Sequence, residues 1–196
     1  MTRIIMKILT TISEIITALA AITAAGVAIY GVREWKRQLK GKTDYEIARR
    51  YLKAAFLLRD AMIYVRNPFI PADEMDSALK DQGLDFEKYR DDRAKINQAV
   101  YSTRWKRVQE AWTNLDLEIL EAEVSWGIEA TNVSGGLRKA AQELFGALQL
   151  YLMGERKKIQ DELIYNQGTN DVPDAFSAKV SESIDKIRTF LRPHLE

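Results

Sequence analysis

Four carboxylates, Asp116, Glu118, Glu121 and Glu123, fall in one short stretch of the chain. Closely spaced carboxylates on a helix are the residue type that general acid–base catalysis or a metal centre draws on. The Glu-x-x-His pattern of a di-iron bundle is absent. The only histidine is His194, so no zinc site of the usual kind is expected either. On a helix, Glu118 and Glu121 point away from the apolar stripes and toward solvent. Asp116 and Glu123 project between the stripes. A buried carboxylate without a partner is costly, so a cation should answer it. Arg59 lies on the apolar face of an earlier helix and is the expected partner, forming a buried charge cluster through an Arg59–Asp116 or Arg59–Glu123 contact. In the other reading, its stem rests on the core and its guanidinium reaches water.

Other reactive patterns are missing. The sequence has no cysteine, no GxxxxGK[ST] loop and no glycine-rich loop after a strand, so thiol chemistry and the usual nucleotide cradles are excluded. Ser134-Gly135-Gly136 either reverses the chain or offers free N–H groups to an anion at the start of a helix. Arg49, Arg50 and Lys53, then Arg104, Lys106 and Arg107, form basic clusters near Tyr51, Tyr101 and Trp105. Acidic residues are interleaved among them and the net charge is only +1, so no nucleic acid is expected as a partner. The sequence predicts no catalytic, metal or cofactor site.

Apolar residues at three- and four-residue steps predict helices through the second part of the chain. One runs from about Asp44 to Arg66, with Tyr45, Ala48, Leu52, Ala55, Met62 and Ile63 on one face, and stops before Asn67-Pro68. A connector follows, with a short helix at Ala72–Lys80. The longest helix is expected over Asp85–Trp126. Trp112, Leu115, Ile119, Ala122 and Trp126 form one stripe, and Leu117, Leu120 and Val124 a second, which predicts packing on two sides. After a turn at Asn132–Gly136, a helix over Leu137–Asn166 buries Leu137, Ala141, Leu144, Phe145, Leu148, Leu152, Ile159 and Leu163. After the turn Gly168–Pro173, the last runs over Asp174–Leu191, with Phe176, Val180, Ile184, Ile187 and Leu191 inward and Pro193 ending it. No segment alternates as a strand does. The expected fold is therefore all-α: an N-terminal transmembrane helix followed by an antiparallel bundle of about four helices.

The 196 residues, 29% charged and 46% hydrophobic, suffice for an anchor and one domain. The divisions expected are an anchor over residues 1–34, a basic segment over 35–43 and a helical bundle over 44–196. From Ile15 to Val32 there is no charged side chain, about the length a membrane helix needs. Arg3, Lys7 and the small residues Ala18-Leu19-Ala20 could mimic a cleavable signal. Glu14 interrupts its core, however, and the apolar run continues well past the small residues, which favours an anchor. Arg33, Lys36, Arg37, Lys40 and Lys42 then set topology with the bundle on the cytoplasmic side, and they can also meet anionic lipid. Gly41 is expected to break the helix, with Thr43 or Asp44 capping the next. The span has a bulky face (Ile12, Ile15, Leu19, Ile22, Ile29) and a smaller, more polar one (Thr10, Glu14, Thr17, Ala21, Ala24, Ala28). Small residues permit close helix approach, so Glu14, Thr17, Ala21, Ala24 and Ala28 are the expected helix–helix interface. Glu14 is either a working carboxylate inside the hydrocarbon or a resident of the headgroup layer.

The segment Trp35-Lys36-Arg37-Gln38-Leu39-Lys40-Gly41-Lys42-Thr43-Asp44-Tyr45-Glu46, with Ala48-Arg49-Arg50 after it, resembles a segment that follows the span of some uncharacterised bacterial single-span inner-membrane proteins. The likeness covers Trp35 to Pro68. It implies a bacterial inner-membrane setting and carries no activity. The sequence as a whole reads as a membrane-tethered scaffold or partner-recruiting module, contacting the lipid bilayer and a protein partner or a second copy of itself. The alternative is an oligomeric pore with the bundle as sensor.

Overall fold

The computed structural model describes residues 2–154, 162–165 and 174–196, without the side chains of residues 2, 4–15 and 18. Its helices are α1 (Thr2–Val65), α2 (Ala72–Asp81), α3 (Phe86–Tyr89), α4 (Arg93–Trp126), α5 (Glu129–Asn132), α6 (Gly135–Leu152) and α7 (Ala175–Leu195). No described residue lies in a strand, and the chain is all-α. Ile159, the turn Gly168–Pro173 and the side chains of Thr10, Ile12, Glu14 and Ile15 lie outside the described set.

The chain divides into two compact units, Met1–Asp44 and Tyr45–Glu196. Among the described residues, no helix is long and apolar enough to cross a membrane, so the span expected within residues 1–34 finds no support there. In the first unit the described side chains are nearly all exposed, including Thr17, Ala21, Ala24 and Ala28 and the cations Arg33, Lys36, Arg37, Lys40 and Lys42. Arg37 donates to Glu34 at 2.8 Å. The helix does not break at Gly41. One glycine costs a helix only about 1 kcal/mol, and the Thr43 hydroxyl donates back to the Leu39 carbonyl at 3.0 Å instead of capping a new helix.

The second unit has a core drawn from four helices. Ile47, Tyr51, Leu58, Met62 and Val65 of α1 meet Val108, Leu115, Ile119 and Ala122 of α4, Leu137, Leu144 and Leu148 of α6, and Ile184, Ile187 and Leu191 of α7. A smaller cluster joins Ala78 and Leu79 of α2 to Ile96, Ala99 and Val100 of α4. The buried line of α1 passes through Tyr51 and Leu58 rather than Tyr45 and Ile63, both of which are exposed.

Helix ends follow local chemistry. The helix expected over Asp85–Trp126 is two helices, because Asp85 accepts from the Glu87 amide and Asp92 from the Lys95 amide, giving each its own N-cap. Gly127 closes α4 with φ +87°, a conformation that favours glycine. In place of a simple turn at Asn132–Gly136 there is a one-turn helix, α5, and α6 already begins at Gly135. Asp174 caps α7 by accepting from the Ser177 amide at 2.8 Å. Pro193 does not end α7 but lies inside its last turn, where only one backbone hydrogen bond is forfeited. There His194 stacks on Trp126 with ring centroids 4.0 Å apart.

Candidate functional site

The cations that organise the second unit are Arg66 and Arg104, each 1% exposed. Arg66 follows the end of α1, where the chain turns toward Pro68. Its guanidinium donates to both oxygens of Asp174, at 3.2 and 2.7 Å, and to Ser177 Oγ at 3.0 Å. The same group donates to the carbonyls of Leu163, Glu162 and Tyr165 at 2.6, 3.0 and 3.1 Å, and it lies 4.5 Å over the Phe176 ring. A planar fork of five donors makes this possible where a lysine could not reach so many acceptors.

Arg104 plays the corresponding part on the other side. It grips Glu74 bidentately at 2.7 Å on each oxygen and donates to the carbonyls of Asn67 and Phe69 at 2.6 and 2.8 Å. Tyr64 Oη donates to the same carboxylate at 2.8 Å. The hydrogen bonds from Arg104, against the opposing effect of burial, hold the Glu74 carboxyl below its ordinary value. Burial disfavours the charge on Arg104, but Glu74 outweighs it and the guanidinium pKa is raised.

Between the segments these arginines hold is a cleft of about 630 Å³. One wall is Pro68, Phe69 and Ile70, in the segment whose carbonyls Arg104 fixes. Tyr165, whose carbonyl Arg66 fixes, lines it too, with Tyr101 and Tyr151; Asn97, Arg90 and Arg93 complete the polar side. Tyr151 meets Tyr101 and Tyr165 edge to face, at 5.7 and 6.1 Å. Tyr165 Oη donates to Tyr151 Oη at 2.9 Å, and Asn97 Nδ2 donates to the same oxygen at 3.2 Å. Burial raises the pKa of both Tyr101 and Tyr165, so these rings stay neutral phenols.

The carboxylates singled out in the sequence are not brought to Arg59. Arg59 is bonded to its neighbour Asp60 at 2.8 Å and lies 4.7 Å over Phe56, because the buried line of α1 runs through Leu58 and leaves position 59 on the flank. Asp116 accepts from Trp112 Nε1 at 2.8 Å and faces Arg138 at 3.5 Å. Glu123 accepts from the Thr131 hydroxyl. Glu121 faces solvent as expected and Glu118 is partly covered, and Arg50 reaches both on the surface, at 3.0 and 2.6 Å. No group of histidine or carboxylate side chains capable of holding a metal exists among the described residues. Ser134 is buried and donates to the Thr131 carbonyl at 2.7 Å, which takes its hydroxyl away from an anion.

Sequence reasoning missed both buried arginines. In the sequence Arg104 falls in a cluster with Lys106 and Arg107, and Arg66 stands only at a helix end. One signal was present: Arg104 lies on the Ile96–Val100–Val108 face of α4, four residues from the apolar positions on either side.

The second expected stripe of α4 is the other feature of note. Leu117, Leu120 and Val124 are 62%, 59% and 83% exposed, so α4 packs on one side only at this level. Ile128, beyond the end of α4, is also exposed.

No protein-family model, curated protein or solved structure matches the chain.

Proposed function

We propose that the protein is a membrane-tethered helical module, without a catalytic step of its own, that recruits a partner protein through α4. The observation carrying this reading is the exposed Leu117–Leu120–Val124 stripe. It lies at i, i+3 and i+7 on a helix whose other apolar face is buried, the spacing with which an amphipathic helix is gripped. Solvent exposure of aligned large aliphatics is disfavoured unless a partner covers them. Support for the tether comes from the uncharged run Ile15–Val32 and from Ile16, Leu19, Ile22, Val27 and Ile29, which are exposed. Lipid is the natural cover for such a helix. The cations from Arg33 to Lys42 favour a cytoplasmic second unit, and the resemblance of Trp35–Pro68 favours a bacterial inner membrane.

A photo-cross-linking residue at position 120, tested in cells, should give a discrete adduct that the same residue at exposed Lys139 does not. Leu117→Glu and Val124→Glu together should abolish it. Equal labelling from both positions, or none from 120, rejects the reading. The oligomeric-pore alternative draws on the exposed small face of Thr17, Ala21, Ala24 and Ala28. It requires overexpression to collapse the membrane potential in a Glu14-dependent manner.

A further inference from the structure

We propose that the cleft framed by the two buried arginines is a binding site for a small aromatic oxyanion, a phosphate or carboxylate carried on a planar ring. Four observations converge. The cleft holds about 630 Å³, within the range of small-molecule sites. Its described lining contains two guanidinium groups, Arg90 and Arg93, and no carboxylate. Arg93 is exposed and forms no ion pair among the described residues. It is the first residue of the 34-residue helix α4, whose N-terminal amides are already capped by Asp92, so the pull on an anion comes from the guanidinium groups. Arg90 is only loosely engaged, by Glu87 at 3.3 Å and Asp91 at 3.8 Å on the surface, so an incoming anion competes with weak pairs.

The aromatic part of the lining is suited to a ring rather than to a bare ion. Phe69, Tyr101, Tyr151 and Tyr165 offer aromatic faces and edges, and burial keeps Tyr101 and Tyr165 protonated, so they do not repel an anion. The site is also built in advance. Arg104 fixes the carbonyls flanking Pro68, and Arg66 fixes the carbonyl of Tyr165, so ligand binding need not order either wall.

The test is titration of the full-length protein in detergent with phenyl phosphate and with benzoate, inorganic phosphate serving as the ringless control. Calorimetry should show at least one aromatic probe binding in the millimolar range or tighter at low salt, and inorganic phosphate about tenfold more weakly. Carbon-labelled tyrosine should report shifts at Tyr101, Tyr151 and Tyr165 and none at Tyr30 or Tyr45. Arg93→Ala should weaken binding about tenfold with the unfolding midpoint unchanged; Arg93→Gln serves as the second variant if Ala compromises folding. Phosphate outperforming carboxylate, or the reverse, identifies the anchoring group. Failure of both aromatic probes to bind, equal binding of inorganic phosphate, uniform shifts across all tyrosines, or unchanged affinity in the Arg93 variants each overturns the proposal.

Discussion

Arg66 ties the end of α1 to two segments far along the chain, residues 162–165 and 174–177, and removing it leaves acceptors in both without their donor at once. Arg66→Ala is expected to lower unfolding stability by about 3–5 kcal/mol, as breaking one partner of a buried pair does. Arg66→Lys should recover little of this, because an ammonium cannot replace a bidentate fork that also reaches three carbonyls. Urea titration followed by tryptophan fluorescence measures both. The Arg104–Glu74 pair adds a pH dependence with a definite sign. Because the Glu74 carboxyl is held below its ordinary 4.5, the folded protein takes up its proton less readily than the unfolded chain. The stabilisation is therefore complete above that pH and is lost as pH falls below it and through the folded value. At the alkaline end the sign reverses. Burial pushes Tyr51, which donates to the Ala130 carbonyl at 2.7 Å, from 10.0 up to about 12, so its contribution is complete below pH 10 and is lost as pH rises through about 12. Stability profiles of Glu74→Gln and Tyr51→Phe should be flatter at the acid and alkaline ends respectively.

At the scale of the element, α4 and α6 make contrasting statements. The outward stripe of α4 touches no core, so Leu117→Glu with Val124→Glu should change unfolding stability by no more than about 0.5 kcal/mol, although the same changes should abolish the cross-link from position 120. A drop of several kcal/mol in the isolated protein would mean that the stripe is structural. In α6, a methyl group on Gly136 would lie 2.6 Å from Ser183 Oγ on α7, while Ser183 Oγ donates to the Lys179 carbonyl. Gly136→Ala should therefore be destabilising by about 1 kcal/mol in the wild type and stabilising in a Ser183→Ala background, a coupling that a double-mutant cycle reads directly. Part of the helical pattern was legible in the sequence: the inward face of α7, most of that of α6 and the end of α4 follow from apolar spacing and glycine. Phe145, expected inward, is 41% exposed and stacks on Trp105, and α6 stops at Leu152 rather than running to Asn166. The α3–α4 break was not legible, since two aspartate caps within a polar stretch carry no periodic signal. Gly41 and Pro193 misled because a breaker near a helix end, or in a long helix, is outweighed by the turns around it. The cleft was illegible for a different reason. Its lining comes from the turn after α1, from α2, the α3–α4 break, α4 and α6, and from Tyr165, and no local pattern reports that those segments meet.

For the whole molecule, the long-range contact between Arg66 and Asp174 spans 108 residues, and α7 supplies Phe176, Val180, Ile184, Ile187 and Leu191 to the core. Deleting residues 174–196 should consequently abolish cooperative unfolding and leave the region from Tyr45 onward open to proteolysis, rather than trimming one dispensable helix. Limited digestion of the truncated and full-length proteins distinguishes these outcomes. The same contact has a meaning in time. Residues 47–65 leave the ribosome long before α7 exists, and at about 5–20 residues per second the nascent chain waits on the order of ten seconds with the apolar face of α1 uncovered. Handover to a chaperone until α7 arrives is what this geometry asks of the cell during synthesis.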